Sequence, residues 1–323
     1  MTDYQAARPA QYRKAIVLCC DQGFLKFAAF VATQIFELHP DPDFDVCICS
    51  HETLALPETL GQLPVRLCHL PLPTVLEDAP QSYRINLSSY LRLFVPQAFA
   101  TDYDRILYLD SDIFLRGGDF SKLLDTELRD DHPVAAVRTS HQRDNQLKQM
   151  PEFKALGQPP APYFNAGILL IDVPRWDASD ILPKALDLMK TQPDVLNMHD
   201  QSVLNIVLRD NWSELSVAWN WMYSGRFSYL LESCDPFILH FAGRIKPWNR
   251  LNGEFPPKYP EVYRAFFAKH YPEEAEKMPP AASIFEAQKF HKKSLLKQWW
   301  DFNGLARYIS RFDDPYVAID PRS

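Results

Sequence analysis

Residues 15–38, AIVLCCDQGFLKFAAFVATQIFEL, contain the pattern that decides the fold. The first six residues are an apolar run between Lys14 and Asp21, which is typical of a parallel strand buried on both faces. From Phe24 onwards apolar residues recur at helical spacing and predict a helix over 24–38. A buried strand followed by an amphipathic helix is the repeating unit of an α/β sheet.

The same alternation continues along the chain. Further strands are predicted at 44–49, 65–70, 105–109, 134–137, 163–171 and 236–241, and further helices at 88–99, 174–190 and 200–209. Residues 138–161 hold few apolar positions and are predicted to form a long loop. The expected fold is therefore α/β, with an open, mainly parallel sheet and helices on both faces.

The composition limits the classes of protein that fit. Among 323 residues, 34 Lys and Arg stand against 41 Asp and Glu, and the net charge of −7 disfavours nucleic-acid binding. No apolar run reaches the ~18 residues of a membrane span, and the first residues lack the apolar core of a secretory signal. The six cysteines contain no CxxC pair and are expected to be buried thiols, which predicts a cytoplasmic protein.

The composition changes from about residue 251. We expect a main domain over 1–250 and a helical, basic and aromatic C-terminal extension over 251–323. Residues 284–311 hold six cations against two acids, with aromatic residues between them. Three interpretations are open: a helix packed on the domain, an element that docks on an anionic membrane, or a nucleic-acid arm, which the acidic remainder disfavours.

Asp110, Ser111 and Asp112 follow the predicted strand RILYL. In an open α/β sheet, ligands bind at the carboxyl ends of the strands. Residues two apart on extended backbone point to the same side, so the two carboxylates can hold one divalent cation. The alternative is a surface turn with solvated acids, and three other Asp-x-Asp triplets in the chain show that the pattern alone is weak.

His240 ends another predicted strand, and Gly243 and Lys246 follow it. An imidazole is a metal ligand, a glycine allows a ligand to approach the backbone, and a lysine suits a phosphate. These three residues would complete a diphosphate site that the aspartates begin. A histidine paired for structural reasons is the competing interpretation.

Two more polar positions stand out. Asp200 and Gln201 lie at a predicted helix start, where an aspartate also serves simply to satisfy free N–H groups. Asn165 lies beside small residues in a predicted strand, where a sugar or a neighbouring loop would fit.

The motifs are more specific together than singly. In order, they are a strand ending at Asp21, then Tyr90-Leu-Arg92-Leu, Ile106-Leu-Tyr-Leu-Asp110-Ser-Asp112, Tyr163-Phe-Asn165-Ala-Gly167, Asp200-Gln201 and His240-Phe-Ala-Gly243-Arg-Ile-Lys246-Pro-Trp248. This order, over roughly residues 14–250, resembles glycosyltransferase family 8, which contains glycogenin and bacterial lipopolysaccharide galactosyl- and glucosyltransferases. The resemblance implies one nucleotide-sugar-binding domain with a Rossmann-like, glycosyltransferase A-type fold.

The resemblance also implies a retaining transferase that moves glucose or galactose from a UDP-sugar to a saccharide acceptor, as in lipopolysaccharide or other surface glycan synthesis. The implied Mn²⁺ or Mg²⁺ ligands are Asp110, Asp112 and His240. The implied donor contacts are Asp21 and Phe24 for the base, Ser111, Gly243 and Lys246 for the diphosphate region, and Arg92, Asn165, Asp200 and Gln201 for the sugar. The first loop, Gln22-Gly23-Phe24, departs from the family's usual polar residue and tyrosine.

The expected mechanism is attack by the acceptor on the face that the leaving group departs from. A carboxamide is a feeble nucleophile, so Gln201, Asp200 and Asn165 are expected to bind hydroxyls and stabilise positive charge. Two alternatives remain open: a metal-dependent sugar-nucleotide hydrolase or nucleotidyltransferase, and a non-catalytic sugar-nucleotide-binding protein. The expected location is the cytoplasm, with peripheral contact to the inner face of the membrane.

Overall fold

Two β-sheets organise the part of the chain that the computed structural model describes, residues 4–71, 87–143, 148–224, 231, 234–249, 255–280, 292 and 303–323. The strands are β1 Gln5–Ala6, β2 Lys14–Cys19, β3 Asp45–Ser50, β4 Val65–His69, β5 Arg105–Leu109, β6 Ile113–Leu115, β7 Val134–Arg138, β8 Phe164–Asp172, β9 Ser213–Glu214, β10 Trp221–Met222 and β11 Ile238–His240. The large sheet has the order β1-β4-β3-β2-β5-β8-β7-β9, and the small one β10-β11-β6.

In the large sheet, the carboxyl ends of the parallel strands lie on the same side as the amino end of the reversed strand β8. Strands β4, β3, β2 and β5 are parallel, whereas β8 runs antiparallel to both β5 and β7. The mainly parallel α/β sheet expected from the sequence is therefore confirmed. Because β8 is reversed, its first residues lie beside the carboxyl end of β5, where Leu109 pairs with Ile168.

Helices cover both faces of the large sheet. They are α1 Leu25–Leu38, α2 Leu91–Ala98, α3 Phe120–Leu124, α4 Pro151–Ala155, α5 Val173–Ala178, α6 Ile181–Thr191, α7 Asp200–Val207, α8 Lys258–His270 and α9 Pro272–Lys277, and residues 303–309 are also helical. Ile16 and Leu18 of β2 pack in the core with α1 and α8. Ala15 and Val17 point the other way, into the core with α2, α5, α6 and α7. Both sides of the strand are thus buried, as its apolar run predicted.

Two sequence predictions of local structure were wrong. The single helix expected over 174–190 is two helices, because Asp180 adopts a left-handed conformation with φ 53° that interrupts helical hydrogen bonding. The loop expected over 138–161 contains α4, whose Pro151 occupies the first helical position, where the missing N–H is not needed. The six cysteines are free thiols, and Cys234 is the one that is only half-buried.

The segment after residue 250 contributes to the main core where it is described. Tyr263 of α8 is fully buried, and its hydroxyl donates to the carbonyl oxygen of Ile113 at 2.9 Å. Helix α9 is joined to α1 by an ion pair between Lys26 and Glu274 at 2.5 Å. Tyr263 also packs on Phe30 of α1. These contacts attach α8 and α9 to the sheet through α1 and β6.

Residues 303–323 pack against the far edge of the large sheet. Ile319 forms an antiparallel bridge with Glu214 of β9, with backbone hydrogen bonds of 2.8 and 2.9 Å. The buried carboxylate of Glu214 accepts hydrogen bonds from Arg138, Tyr308 and Arg311. This part of the tail therefore packs on the domain, whereas most of the basic and aromatic stretch 284–302 lies outside the described residues. None of the described helices combines the length and the apolar character needed to cross a bilayer.

Candidate active site

Two aspartates and a histidine converge where β5, β6 and β11 meet. Asp110 directly follows β5, and Asp112 directly precedes β6. Strand β11 pairs with β6, which places His240 opposite Ile113. The His240 Nε2 atom lies 3.2 Å from Asp112 Oδ1 and 3.8 Å from Asp110 Oδ2, and one ligand atom from each residue lies within 4.8 Å of the others. Carboxylate oxygen and imidazole nitrogen are a donor set that suits Mn²⁺ or Mg²⁺.

The cluster is compact because Gly167 of β8 has no side chain. A Cβ atom at this position would stand 2.3 Å from His240 Cε1 and 2.7 Å from Asp110 Oδ2. The backbone of β8 also receives a hydrogen bond, since Asp110 N donates to Gly167 O at 2.8 Å. A residue larger than glycine would push the imidazole and the carboxylate apart.

Asp112 is held in its ionised form by its neighbours. Burial raises its pKa, but His240 and Lys246 outweigh that effect and bring the pKa well below the usual range. The Lys246 ammonium contacts Asp112 Oδ2 and the carbonyl oxygen of Phe241. The predicted phosphate-binding cation thus lies directly beside the predicted metal ligands.

Arg92 of α2 connects Asp110, at the end of β5, to Asp200, at the start of α7. Its guanidinium is buried, with NH2 2.9 Å from Asp110 Oδ1 and Nε 2.9 Å from Asp200 Oδ2. It also lies over the ring of Tyr108, 4.5 Å from the ring centre. Burial raises the pKa of Asp200, and the positive charge of Arg92 opposes that rise. Arg92 therefore fixes both carboxylates in place.

Three side-chain amides and two backbone N–H groups form a second network beside the cluster. Gln201 Oε1 accepts from Asn165 Nδ2 at 3.0 Å and from the backbone N–H of Ala166 at 3.1 Å. Asn165 Oδ1 accepts from Gly167 N at 3.1 Å and from Asn220 Nδ2 at 2.9 Å. Four of these residues lie in β8 and α7, the strand and the helix that the sequence predicted for them.

Asn220 is the residue that the sequence analysis missed. It lies between Trp219 and Trp221 and is fully buried, and its Oδ1 lies 3.0 Å from His240 Nδ1. The only signal in the sequence was a polar residue between two large apolar ones. A buried asparagine must find hydrogen-bond partners, but the sequence did not show which partners these were.

Two cavities share Phe24 in their walls, and one of them adjoins the cluster. One, of about 180 Å³, is lined by Arg92, Asp110, Ser111 and Asp112 among others, and Ser111 Oγ has no hydrogen-bond partner among the described residues. The other, of about 380 Å³, is lined by Asp21 and by the rings of Phe24, Phe27, Trp248 and Phe267. Asp21 Oδ1 accepts from Phe24 N at 2.8 Å, which orients this loop.

A cavity of about 670 Å³ borders the amide network. It reaches Asn165, Gln201 and Gly243, and Leu305 of the C-terminal helix forms part of its wall. A Cβ atom on Gly243 would meet open space, so the described backbone does not itself require a glycine there. Nine of the twelve predicted site residues thus line one or other of these three cavities, and Asp200, His240 and Lys246 line none of the three.

Comparison with known proteins agrees with this fold and this arrangement of motifs. The sequence profile of "Glycosyl transferase family 8" matches residues 15–252. The chain therefore belongs to glycosyl transferase family 8.

Each alignment with an individual relative covers part of this chain and part of the relative's length. The chain is 28% identical over 248 residues to the glycosyltransferase GlyF of Streptococcus pneumoniae, covering 73% of this chain and 58% of that protein. It is 32% identical over 210 residues to the general stress protein A of Bacillus subtilis, covering 60% and 71%. It is 26% identical over 219 residues to the lipopolysaccharide 1,2-glucosyltransferase of Escherichia coli, covering 64% and 62%.

The solved structures support the fold assignment. The galactosyltransferase LgtC, crystallised with donor and acceptor sugar analogues, aligns with 85% of this chain and 99% of its own, with a TM-score of 0.64 and 21% identity. A second crystal structure of LgtC carries a glutamine-to-glutamate change described as an active-site mutation. The fold is therefore the glycosyltransferase A-type fold expected from the resemblance.

Proposed function

We propose that the protein is a retaining hexosyltransferase that moves glucose or galactose from a UDP-sugar to a saccharide acceptor. The observation that carries this proposal is the convergence of Asp110, Asp112 and His240, with their ligand atoms within 4.8 Å of one another at the sheet edge of a family 8 fold. When bound there, Mn²⁺ or Mg²⁺ would supply Lewis-acid stabilisation of the departing diphosphate.

The chain's own residues extend the site on either side of this cluster. Lys246 contacts Asp112, so it lies within reach of a diphosphate that binds a cation held by that carboxylate. Ser111 lines the cavity beside Asp110 and Asp112, and Gly243 lies three residues before Lys246. Asp21 and Phe24 suit a uracil base, because the Phe24 ring is 41% exposed and available for stacking. The donor would thus extend from the aromatic cavity across the cluster towards the amide network.

The contacts around the donor-sugar site favour same-face attack by the acceptor. Both lone pairs of Gln201 Oε1 are occupied by hydrogen bonds from Asn165 and Ala166, so this atom is poorly placed to act as a nucleophile. The Asp200 carboxylate is paired with Arg92, which lowers its nucleophilicity and orients it. Asp200, Gln201 and Asn165 instead bind sugar hydroxyls and stabilise developing positive charge. The active-site glutamine of LgtC supports a role for a glutamine at such a site.

The acceptor is proposed to enter the 670 Å³ cavity, which borders Asn165 and Gln201. Relatives named as lipopolysaccharide glucosyl- and galactosyltransferases support a cell-surface glycan as the acceptor. A location at the cytoplasmic face of the membrane fits this role, with Lys289, Lys292, Lys293 and Lys297 as the contact to anionic lipid. That contact stays a prediction.

A UDP-release screen tests the proposal. UDP-glucose, UDP-galactose and other UDP-sugars are incubated with Mn²⁺, with and without candidate saccharides, and the products are identified. UDP together with a glycosylated acceptor supports transfer, whereas free sugar or UMP as the main product supports the hydrolase or nucleotidyltransferase alternative. Asp112→Asn should abolish Mn²⁺ binding and turnover. The matched control is Asp104→Asn, from another Asp-x-Asp triplet whose exposed carboxylate pairs with Arg13.

A further inference from the structure

Asn220 joins two parts of the site that lie on different strands. Its side chain is fully buried and contacts His240 through Oδ1 and Asn165 through Nδ2, at 3.0 and 2.9 Å. Its carbonyl oxygen accepts a hydrogen bond from the guanidinium of Arg143 at 3.0 Å. No hydrogen bond joins Asn220 to Asp110 or Asp112, so its influence on the cluster passes through the imidazole.

The direction of each hydrogen bond in this chain follows from one backbone group. The N–H of Gly167 is always a donor, so the atom of Asn165 that faces it is the oxygen Oδ1. The Asn220 atom that faces Asn165 Oδ1 must then be the donor Nδ2. This leaves Asn220 Oδ1, an acceptor, facing His240 Nδ1, which must carry the proton.

The consequence for the imidazole is a defined tautomer. With the proton on Nδ1 held by Asn220, Nε2 is the nitrogen whose lone pair can serve a cation, and it lies 3.2 Å from Asp112 Oδ1 and 3.8 Å from Asp110 Oδ2. A metal-binding histidine needs this arrangement, in which the second nitrogen donates to a fixed acceptor. Rotation of the ring would break the bond to Asn220.

We propose that Asn220 is a positioning residue that holds His240 as the Nδ1-protonated tautomer with Nε2 free for a divalent cation, and that couples this ring to Asn165 at the donor-sugar site. The inference rests on the proposed function, because it requires that His240 is a metal ligand. Beyond the proposed function, it assigns a role to Asn220, gives the direction of the hydrogen bonds to His240 and Asn165, and connects cation binding with sugar binding.

The test measures binding of Mn²⁺ alone to the full-length, metal-free protein by isothermal titration calorimetry. Asn220→Ala should weaken Mn²⁺ binding by about 10- to 100-fold, the usual effect of losing the hydrogen-bond partner of a ligating histidine. Gln34→Ala is the matched control, because Gln34 is another buried amide, whose side chain bonds to the backbone of Leu115. It should keep the wild-type affinity although it also loses buried hydrogen bonds.

Asn220→Asp separates the two roles and replaces the alanine variant if that one does not fold. Its carboxylate still accepts from His240 Nδ1, so Mn²⁺ should bind at least as tightly as to the wild type. It no longer donates to Asn165 Oδ1, so the KM for the UDP-sugar donor should rise. A general loss of structure would not produce opposite effects on these two quantities.

A long-range ¹H–¹⁵N correlation spectrum of the histidine rings reports the tautomer directly. His240, assigned by its loss in His240→Ala, should show a protonated Nδ1 in the metal-free wild-type protein. A wild-type His240 that carries no proton on Nδ1 would overturn the inference. Wild-type Mn²⁺ affinity in Asn220→Ala would also overturn it, while loss of binding in His240→Ala would leave the proposed function standing. Failure of the wild type to bind Mn²⁺ would overturn both.

Discussion

Gly167 and His240 approach so closely that a methyl group on Gly167 would stand 2.3 Å from the imidazole Cε1. The same methyl group would lie 2.7 Å from Asp110 Oδ2. The space for a side chain on β8 is thus taken by two of the three predicted metal ligands. The cluster of Asp110, Asp112 and His240 therefore requires a glycine at position 167.

Gly167→Ala should displace the His240 ring and weaken Mn²⁺ binding by at least about tenfold, because overpacking of this kind costs about 1–3 kcal/mol. The measurement is Mn²⁺ titration, with a thermal melt to confirm folding. Gly117→Ala is the control, since a Cβ atom there meets nothing within 4 Å. Wild-type Mn²⁺ affinity in a folded Gly167→Ala protein would contradict the close contact.

No covalent sugar should form on Asp200 or Gln201 if the acceptor attacks from the leaving-group face. Intact-mass spectra of the wild type after incubation with donor and Mn²⁺ should show the unmodified chain. Asp200→Asn should lower kcat by about 100-fold, since it removes negative charge that stabilises the transition state and breaks the pair with Arg92. A glycosylated peptide containing Asp200 or Gln201 would establish a double-displacement mechanism instead.

Removal of the buried charge on Glu214 should destabilise the attachment of residues 303–323. Glu214→Gln leaves Arg138 and Arg311 without their counter-charge, and loss of one partner from a buried ion pair costs about 3–5 kcal/mol. Urea unfolding measures the change. The exposed Glu276→Gln should alter the unfolding free energy by less than about 0.5 kcal/mol. Equal stability of the two variants would show that the Glu214 network contributes little.

Helix α9 should lose part of its attachment in acid. Hydrogen bonds from Lys26 and Lys277 lower the pKa of Glu274 in the folded chain. A carboxylate with a depressed folded pKa stabilises the protein above its unfolded pKa, and this contribution disappears as pH falls through the folded pKa. Glu274→Gln should therefore be less stable than wild type at pH 7, and the difference should shrink below pH about 4. An unfolding difference that is constant with pH would contradict this assignment.

The predicted membrane contact is best tested without truncation, because residues 303–323 belong to the folded domain. Replacement of Lys289, Lys292, Lys293 and Lys297 by glutamine keeps that segment and removes four charges. Each charge near anionic lipid contributes about 1 kcal/mol, so cosedimentation with phosphatidylserine vesicles should fall steeply. Activity on a small soluble acceptor should be unchanged. Equal sedimentation of the variant and the wild type would reject the membrane contact.

The sequence predicted the parts of the site that depend on a single strand. The apolar run before Asp110 and the run before His240 each placed a polar residue at a strand end, and the structure has both arrangements. The expectation that these two strand ends lie close together came from the resemblance to glycosyltransferase family 8, and not from the strand patterns themselves. Apolar runs carry no information on strand direction, so the reversal of β8 beside β5 was not predicted.

The sequence patterns could not predict contacts between segments that are distant along the chain. The position of Arg92 between Asp110 and Asp200 depends on how α2 and α7 pack on the same face. The bond between Asn220 and His240 depends on the pairing of β10 with β11. The left-handed turn at Asp180 lacked the glycine that usually signals it.

Because β8 pairs with β5 in a reversed direction, the register of this pairing also decides whether the candidate site forms. Side chains alternate along a strand, so pairing β8 one residue out of step with β5 would turn its apolar residues to the wrong core. The same slip would carry Asn165 away from Gln201 and Gly167 away from His240. A misaligned chain would then lose the contacts of the candidate site and the native packing of β8 together, so we expect no population of well-packed chains in which the site alone is misassembled.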